Sequence, residues 1–135
     1  MAKVLVIVRN ETIRTKLVNL LKRAGLHALV ATDGETGLEY VHQVPFELVV
    51  ADLRIASKNG VELTKSIQRD FPDMKFIAVS GSSLAASEEF CTFVAHLGVE
   101  RLFTMPLDER SVAASALELV DLMPRANYSA SLAAV

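Results

Sequence analysis

Residues 48–54 read LVVADLR, four apolar residues that run into a single carboxylate, Asp52. An apolar run without polar alternation is typical of a strand that is buried on both faces, in a parallel sheet covered by helices. Open α/β sheets place their ligand sites at the carboxyl ends of such strands. We therefore predict a central strand over 48–51. Asp52 is then either a functional group at the sheet edge or only the polar residue that ends a buried strand.

Other short apolar runs flank this one along the chain. Four of them predict strands: VLVIV (4–8), HALVA (27–31), KFIAV (75–79) and RLFT (101–104). The segments between them carry helix signals, namely apolar stripes, a capping-box spacing and terminal Gly or Pro residues. The first predicted helix has an apolar stripe of Ile13, Leu17, Leu20, Leu21 and Ala24 and ends before Gly25. The second begins with Thr32 and Glu35 and runs to about Gln43, and the third carries Val61, Leu63, Ile67 and Phe71 and ends before Pro72. The fourth carries Phe90, Phe93, Val94 and Leu97 and ends before Gly98, and the fifth runs from about Asp108 to Met123. The segments RIASKNG (54–60) and SGSS (80–83) are predicted loops.

Five strands that alternate with five helices predict an α/β domain with a doubly wound parallel sheet. Right-handed crossovers leave few topologies, and the strand order 2-1-3-4-5 fits five units. The crevice then lies between the first and third strands. We expect that edge of the sheet to gather Arg9 and Asn10, Asp52, Ser80 and Met105-Pro106.

The composition restricts the classes of function. The 135 residues are 51% hydrophobic and 22% charged, as expected for one domain with one core. Fourteen Lys and Arg against sixteen Asp and Glu give a net charge of -2, which is no basic footprint for nucleic acid. The single cysteine, Cys91, excludes an internal disulfide and favours a cytoplasmic location. No run reaches the roughly 18 apolar residues of a membrane helix, so we expect no membrane association.

Three segments carry a family resemblance. They are DLRIASKNG (52–60), AHLGVERLFTMPL (95–107) and Ser80 directly after the fourth strand. Together and in this order they resemble the receiver domain of bacterial two-component response regulators, which is CheY-like. The resemblance covers a domain over 1–123, with 124–135 expected to be a mobile tail. It implies a flavodoxin-like (βα)5 fold and no enzymatic activity of its own. In a phosphorelay, Asp52 would accept a phosphoryl group from a histidine kinase and Ser80 would contact that group.

The sequence departs from the family where the family's chemistry lies. The family has two adjacent acidic residues after the first strand, whereas this chain has Arg9 and Asn10. The lysine before the proline of the fifth strand is Met105 here. Two further positions differ: the proline four residues after the phosphoacceptor is Ala56, and the aromatic switch residue is Leu102.

The first loop is also one residue shorter than in the family, because Arg14 comes early. A shifted alignment would place Asn10 and Glu11 in the acidic positions and would recover one carboxylate. The transfer needs a cation, usually Mg²⁺, which takes one or two carboxylates together with waters. Two carboxylates ~4 Å apart repel by ~4 kcal/mol at an effective dielectric of ~20, so a pair attracts a dication. We therefore predict a degenerate acidic site whose Mg²⁺ affinity is weak or lost, with Asp52 and Glu11 as the weak candidate ligands.

Simpler roles compete for several of these residues. Arg9 can form an ion pair with Asp52 that blocks the crevice. Asn10 serves as well for a helix N-cap as for a metal ligand. Met105-Pro106 is expected to keep the family's cis peptide bond. The stripe of Phe90, Phe93, Val94 and Leu97 predicts core packing rather than a binding groove.

Three functions remain to be compared. The first is a pseudo-receiver that acts alone by protein–protein interaction, through the face that the fourth helix, fifth strand and fifth helix form in the family. Its partner would be a histidine kinase, another signalling protein or a second copy. The second is a receiver that is phosphorylated on Asp52. The third, a nucleotide or flavin protein, is disfavoured because RNET (9–12) lacks a phosphate-binding glycine turn.

Overall fold

The computed structural model describes residues 2–52, 57–81 and 88–122 of the chain. A five-stranded sheet forms its centre, in the order β2-β1-β3-β4-β5 with every neighbouring pair parallel. The elements are β1 (Lys3–Ile7), α1 (Glu11–Arg23), β2 (His27–Ala31), α2 (Gly34–Gln43), β3 (Leu48–Asp52), α3 (Ser57–Asp70), β4 (Lys75–Ser80), α4 (Glu88–His96), β5 (Arg101–Thr104) and α5 (Glu109–Leu122). The predicted doubly wound, flavodoxin-like α/β fold is confirmed.

Two apolar layers hold the sheet, one on each face. Strand side chains alternate between the faces, so odd and even positions of one strand enter different layers. Val4, Val6 and Val50 lie in the layer that α1 and α5 cover. Leu5 and Val49 lie in the layer with residues of α2 and α3. Because both layers are buried, residues 4–7 of β1 and 48–51 of β3 have no polar face, which explains why these stretches are uniformly apolar.

The helix ends confirm most of the capping predictions and correct one. Asn10 is the N-cap of α1, where its side-chain oxygen accepts the backbone N–H of Ile13 at 2.9 Å. Gly25, beyond the C-terminus of α1, has φ of 86°, as the predicted left-handed cap requires. The capping role predicted for Thr32 is wrong. Asp33 caps α2 instead, because its carboxylate accepts the N–H of Thr36 at 2.8 Å.

Several predicted boundaries and one predicted core residue also change. Ser80, predicted in the loop over 80–83, is the last residue of β4, and Asp52 extends the strand predicted over 48–51 by one residue. Helix α3 begins at Ser57, so the loop predicted over 54–60 is wrong for residues 57–60. Phe93, predicted in the core stripe of α4, is 44% exposed. Only Val94 and Leu97 of that stripe are buried among the side chains described, because the short helix covers a narrow strip of the sheet.

Some predictions fall outside the described residues. They are the position of Ala56, the side chain of Phe90 and the tail over 124–135. Among the residues described, no helix combines the length and the apolar character needed to cross a membrane.

Candidate functional site

Asp52 brings a carboxylate to the carboxyl end of the central strand. It is the last residue of β3, it is 4% exposed, and it lies opposite Val79 of β4 in the parallel register. Strand alternation puts it on the same face as Val50, which is the face that α1 and α5 cover. Charged side chains are seldom buried to this degree unless they are paired or functional. The burial of Asp52 therefore calls for a partner or a function, which an exposed residue at the end of a strand would not need.

Ser80 ends the neighbouring strand and is fully buried. Its hydroxyl donates to the carbonyl oxygen of Gly81 at 3.3 Å, and its carbonyl oxygen accepts the N–H of Met105 at 3.2 Å. Because Asp52 pairs with Val79, Ser80 lies one residue further along β4 and on the other side of the pleat. The structure thus brings the predicted hydroxyl to the same edge as the predicted acceptor, on adjacent strands.

Met105 lies beyond β5, on the side of the sheet that faces α1 and α5. The Met105-Pro106 peptide bond is cis, as predicted. The Met105 side chain is half-buried and packs against the apolar layer that contains Val79 and Leu107. A thioether is at most a weak hydrogen-bond acceptor and carries no charge. At position 105 the chain therefore has an apolar contact and no charge.

The loop between β1 and α1 holds Arg9 and Asn10, and both side chains are exposed. The amide oxygen of Asn10 caps α1, which confirms the structural role that we weighed against metal binding. Sequence reasoning missed a further contact. Arg14 Nη1 donates to the carbonyl oxygens of Val8 at 3.1 Å and of Arg9 at 3.0 Å, so the loop is held by the first turn of α1. The short separation in sequence between Arg14 and the loop was the signal that could have indicated this contact.

The charge of Arg9 acts on Asp33, the N-cap of α2. Hydrogen bonds from the backbone and side chain of Thr36 lower the pKa of the Asp33 carboxyl, and the Arg9 guanidinium adds a smaller effect in the same direction. The predicted ion pair between Arg9 and Asp52 stays a prediction. Glu11, the other candidate ligand, is exposed at the first position of α1.

The donor set for a metal ion can be compared with what Mg²⁺ requires. Within residues 2–52, 57–81 and 88–122, no group of three or more His, Cys, Asp or Glu side chains is placed to hold a metal ion. Asp52 offers one carboxylate at this edge, and the amide oxygen of Asn10 is engaged in capping. Mg²⁺ is held by oxygen ligands with one or two carboxylates, and Asp52 alone is at the lower limit of that requirement.

The surface beside the site includes α4, β5 and α5. Leu102 is half-buried and packs against Ala78 and Val94. Phe93 of α4 and Leu117 of α5 are 44% and 42% exposed. An ion pair between Arg101 Nη2 and Glu118 Oε1, 2.7 Å apart, joins β5 to α5. Apolar and charged groups thus share this surface.

Comparison with known proteins identifies the family that has this architecture. The family described as response regulator receiver domain matches residues 4–117. The response regulator receiver protein CpdR of Brucella abortus is 27% identical over 86 residues, 64% of this chain and 72% of CpdR. The regulatory protein PhoP of Bacillus subtilis, which controls alkaline phosphatase synthesis, is 29% identical over 116 residues, 83% of this chain and 45% of PhoP.

The solved structures agree at the level of the fold. A CheY-like receiver domain from Methanospirillum hungatei superposes with a TM-score of 0.82 at 22% identity, covering 93% of this chain and 98% of that one. The strand order, the buried Asp52 at the end of β3 and the match over 4–117 have one common explanation. The chain belongs to the response regulator receiver domain family of two-component signalling.

Proposed function

We propose that this receiver domain acts as a protein-interaction module whose state does not depend on Mg²⁺-assisted phosphorylation of Asp52. One observation carries the proposal. The two groups of residues that flank Asp52 at the sheet edge have structural tasks in place of charged ones: Asn10 caps α1, and Met105 packs against the apolar layer. Such a domain binds partners and has no catalytic turnover of its own.

The charges around Asp52 do not favour phosphoryl transfer to it. Transfer of a phosphoryl group consists mainly of positioning and electrostatic stabilisation. An ionised Asp52 and an anionic phosphoryl group repel each other unless a cation lies between them. In the first loop, Arg9 and Asn10 supply no carboxylate to hold a dication, and Met105 supplies no ammonium for the phosphoryl oxygens. The barrier to transfer is therefore expected to stay high.

A second candidate function is a receiver that does accept a phosphoryl group on Asp52 from a histidine kinase. The observation in its favour is that a buried Asp52 and a buried Ser80 end two adjacent strands, β3 and β4. In this alternative Arg9 would partly replace the missing cations, because a guanidinium can bind phosphate with two hydrogen bonds.

The partner surface that we favour is formed by α4, β5 and α5. Phe93 and Leu117 expose apolar area there, and the Arg101–Glu118 pair adds a fixed polar contact. Aromatic and apolar side chains with charged neighbours are typical of the centre and rim of protein interfaces. A histidine kinase, another signalling protein or a second copy of this chain would bind at this surface.

The test is incubation of the purified protein with a small-molecule phosphodonor and Mg²⁺, followed by intact mass spectrometry. We expect no phosphoryl adduct on the wild-type protein. A receiver that has the acid pair and the lysine is treated in parallel, to show that the donor is active.

The control variant is Asp52→Asn, which keeps the size of the side chain and removes the nucleophile. An adduct on the wild-type protein that is absent from Asp52→Asn would reject the proposal in favour of the phosphorylated receiver. An adduct on both proteins would indicate modification elsewhere and would leave Asp52 unreactive, as proposed.

A further inference from the structure

At the ends of α2 and α3, the side chain of His42 lies between two hydrogen-bond acceptors. Its Nδ1 is 2.8 Å from the carbonyl oxygen of Leu38, one turn earlier in α2. Its Nε2 is 2.9 Å from Oδ2 of Asp70, the last residue of α3. The imidazole therefore connects the C-terminal turns of two helices that follow one another in the fold.

The two contacts together require a particular protonation state. A carbonyl oxygen and an ionised carboxylate only accept hydrogen bonds. A neutral imidazole has one N–H, so it can serve either Leu38 or Asp70 but not both. The imidazolium ion has an N–H on each nitrogen and satisfies both acceptors. The geometry is thus complete only when His42 is protonated.

The surroundings favour that state. The Leu38 carbonyl and the Asp70 carboxylate raise the pKa of His42 above its ordinary value, while Arg69 opposes them weakly. Hydrogen bonds from His42 and Arg69 lower the pKa of Asp70. His42 also lies in the last turn of α2, where the helix dipole favours a cation. The ring of Phe71, next in sequence to Asp70, contacts the imidazole edge-on with centroids 5.3 Å apart.

Among the residues described, the charged groups near His42 belong to α3 and α2. From α3 they are Asp70 and Arg69, which are themselves joined by a 3.2 Å contact. From α2 they are Glu35 and Glu39, which line a shallow groove with Leu38, His42 and Gln43. The parts of β1 and β2 that pack against α2 present apolar side chains such as Leu5, Ile7 and Leu29. Asp70 is the carboxylate whose hydrogen bond crosses between the helices.

We propose that protonation of His42 closes a pH-sensitive clamp between the C-terminal turns of α2 and α3, and that deprotonation releases it. The clamp lies at the end of the sheet opposite Asp52, because helices run back against the strands in a doubly wound fold. It would therefore control how firmly α2 is held to α3 without contact with the candidate phosphoacceptor, and it does not depend on the function proposed for that site.

The sign of the pH dependence follows from the direction of each shift. The raised pKa of His42 gives a stabilisation that is fully present below its unfolded pKa of about 6.5. It is lost as pH rises through the folded pKa of His42. The lowered pKa of Asp70 gives a stabilisation that is present above about pH 4 and lost in stronger acid. The clamp is thus fully closed between about pH 4 and about pH 6.5.

The chain contains a matched control, His96 in the last turn of α4. Its Nδ1 makes the same contact with a carbonyl oxygen one turn earlier, that of Thr92, at 2.7 Å. Both side chains are exposed. Among the described residues, an acidic partner on the other ring nitrogen is found for His42 and not for His96. The two histidines thus differ in the interhelical contact and agree in the local one.

The experiment measures urea unfolding and histidine NMR titrations from pH 5.5 to pH 8.5. Wild type, His42→Gln, Asp70→Asn and His96→Gln are compared. We expect the stability of wild type and His96→Gln to fall across this range, and the fall to be largely lost in His42→Gln and Asp70→Asn. In Asp70→Asn, which keeps the ring and its contact with Phe71, the titration midpoint of His42 should move to lower pH.

Two results would overturn the clamp. One is a pH dependence of stability in His42→Gln equal to that of wild type. The other is a His42 midpoint that does not move in Asp70→Asn. The NMR titration needs only the folded protein, so a loss of stability in one variant does not prevent a decision.

Discussion

Asp52 has two flanks at the sheet edge, and the structure treats them differently. The loop flank, Arg9 and Asn10, is exposed and polar, and it is held by the capping of α1 and by Arg14. The strand flank, Met105 and Pro106, is held by the Ser80–Met105 backbone hydrogen bond and by apolar packing of Met105. The loop flank has no carboxylate, and the strand flank has no charged side chain. On the loop flank Asn10 serves as a helix cap, and on the strand flank Met105 packs against the core.

The two flanks therefore differ in how well they can accommodate a new charged side chain. Asp is as good an N-cap as Asn, so an acid at position 10 can preserve the local structure of the loop. A charge at position 105 must leave the apolar layer or extend past it to water, as lysine side chains do when their stems are buried. The loop flank should therefore tolerate restoration of the family's residues better than the strand flank.

The largest expected effect is gained on the loop flank. In the double variant Arg9→Asp/Asn10→Asp, two carboxylates join Asp52 and one guanidinium is removed. This change of three charge units beside a dication site is worth several kcal/mol before desolvation. We expect Mg²⁺ affinity to rise by about a hundredfold or more, equivalent to about 2.7 kcal/mol. Isothermal titration calorimetry and amide NMR shifts near Asp52 measure the change.

Met105→Lys serves as the matched control on the strand flank and should not raise Mg²⁺ affinity, because an added cation repels a dication. If the double variant binds Mg²⁺ no better than wild type, the shortened loop rather than the lost charge is the cause of the weak site. Tight Mg²⁺ binding by the wild type would contradict the comparison altogether.

The next effect is a loss of packing on the strand flank. Truncation of a buried Met to Ala costs about 2–5 kcal/mol, and Met105 is half-buried, so we expect Met105→Ala to lower the free energy of unfolding by about 1–2 kcal/mol. Urea denaturation measures it. Met105→Leu conserves volume and should cost less than about 1 kcal/mol. An unchanged stability in Met105→Ala would show that the side chain is not part of the core.

The smallest effect concerns the cap on the loop flank. Asn10→Ala removes the acceptor for the Ile13 N–H and should destabilise the protein by about 1 kcal/mol. Asn10→Asp retains the acceptor and should be close to wild type in the same urea experiment. Equal stability of Asn10→Ala and wild type would mean that Asn10 is not held in the capping role, and would reopen its use as a ligand.

The sequence predicted the fold well because its signals are local and repeated. Uniform apolar runs such as VLVIV can be satisfied only in a sheet covered on both faces, and the five alternating units leave few topologies. Individual ends were less predictable. Thr32 and Asp33 are both good caps, and the choice between them depends on where α2 packs rather than on either residue.

The candidate site was predicted in the same partial way. The sequence was enough to predict which groups reach the carboxyl edge of the sheet. Asp52, Ser80 and Met105 each follow or end a strand that is marked by a short apolar run. It left the roles of Asn10 and Met105 open, because an amide can cap or ligate and a thioether can pack or stay exposed.

The roles of Asn10 and Met105 follow from the folded structure. The same is true of the contact between His42 and Asp70, which lie 28 positions apart in the sequence. The physical reason is that strand and helix patterns depend on neighbours within a few residues. A hydrogen bond or a packing contact, in contrast, depends on the three-dimensional arrangement of atoms that the chain order does not contain.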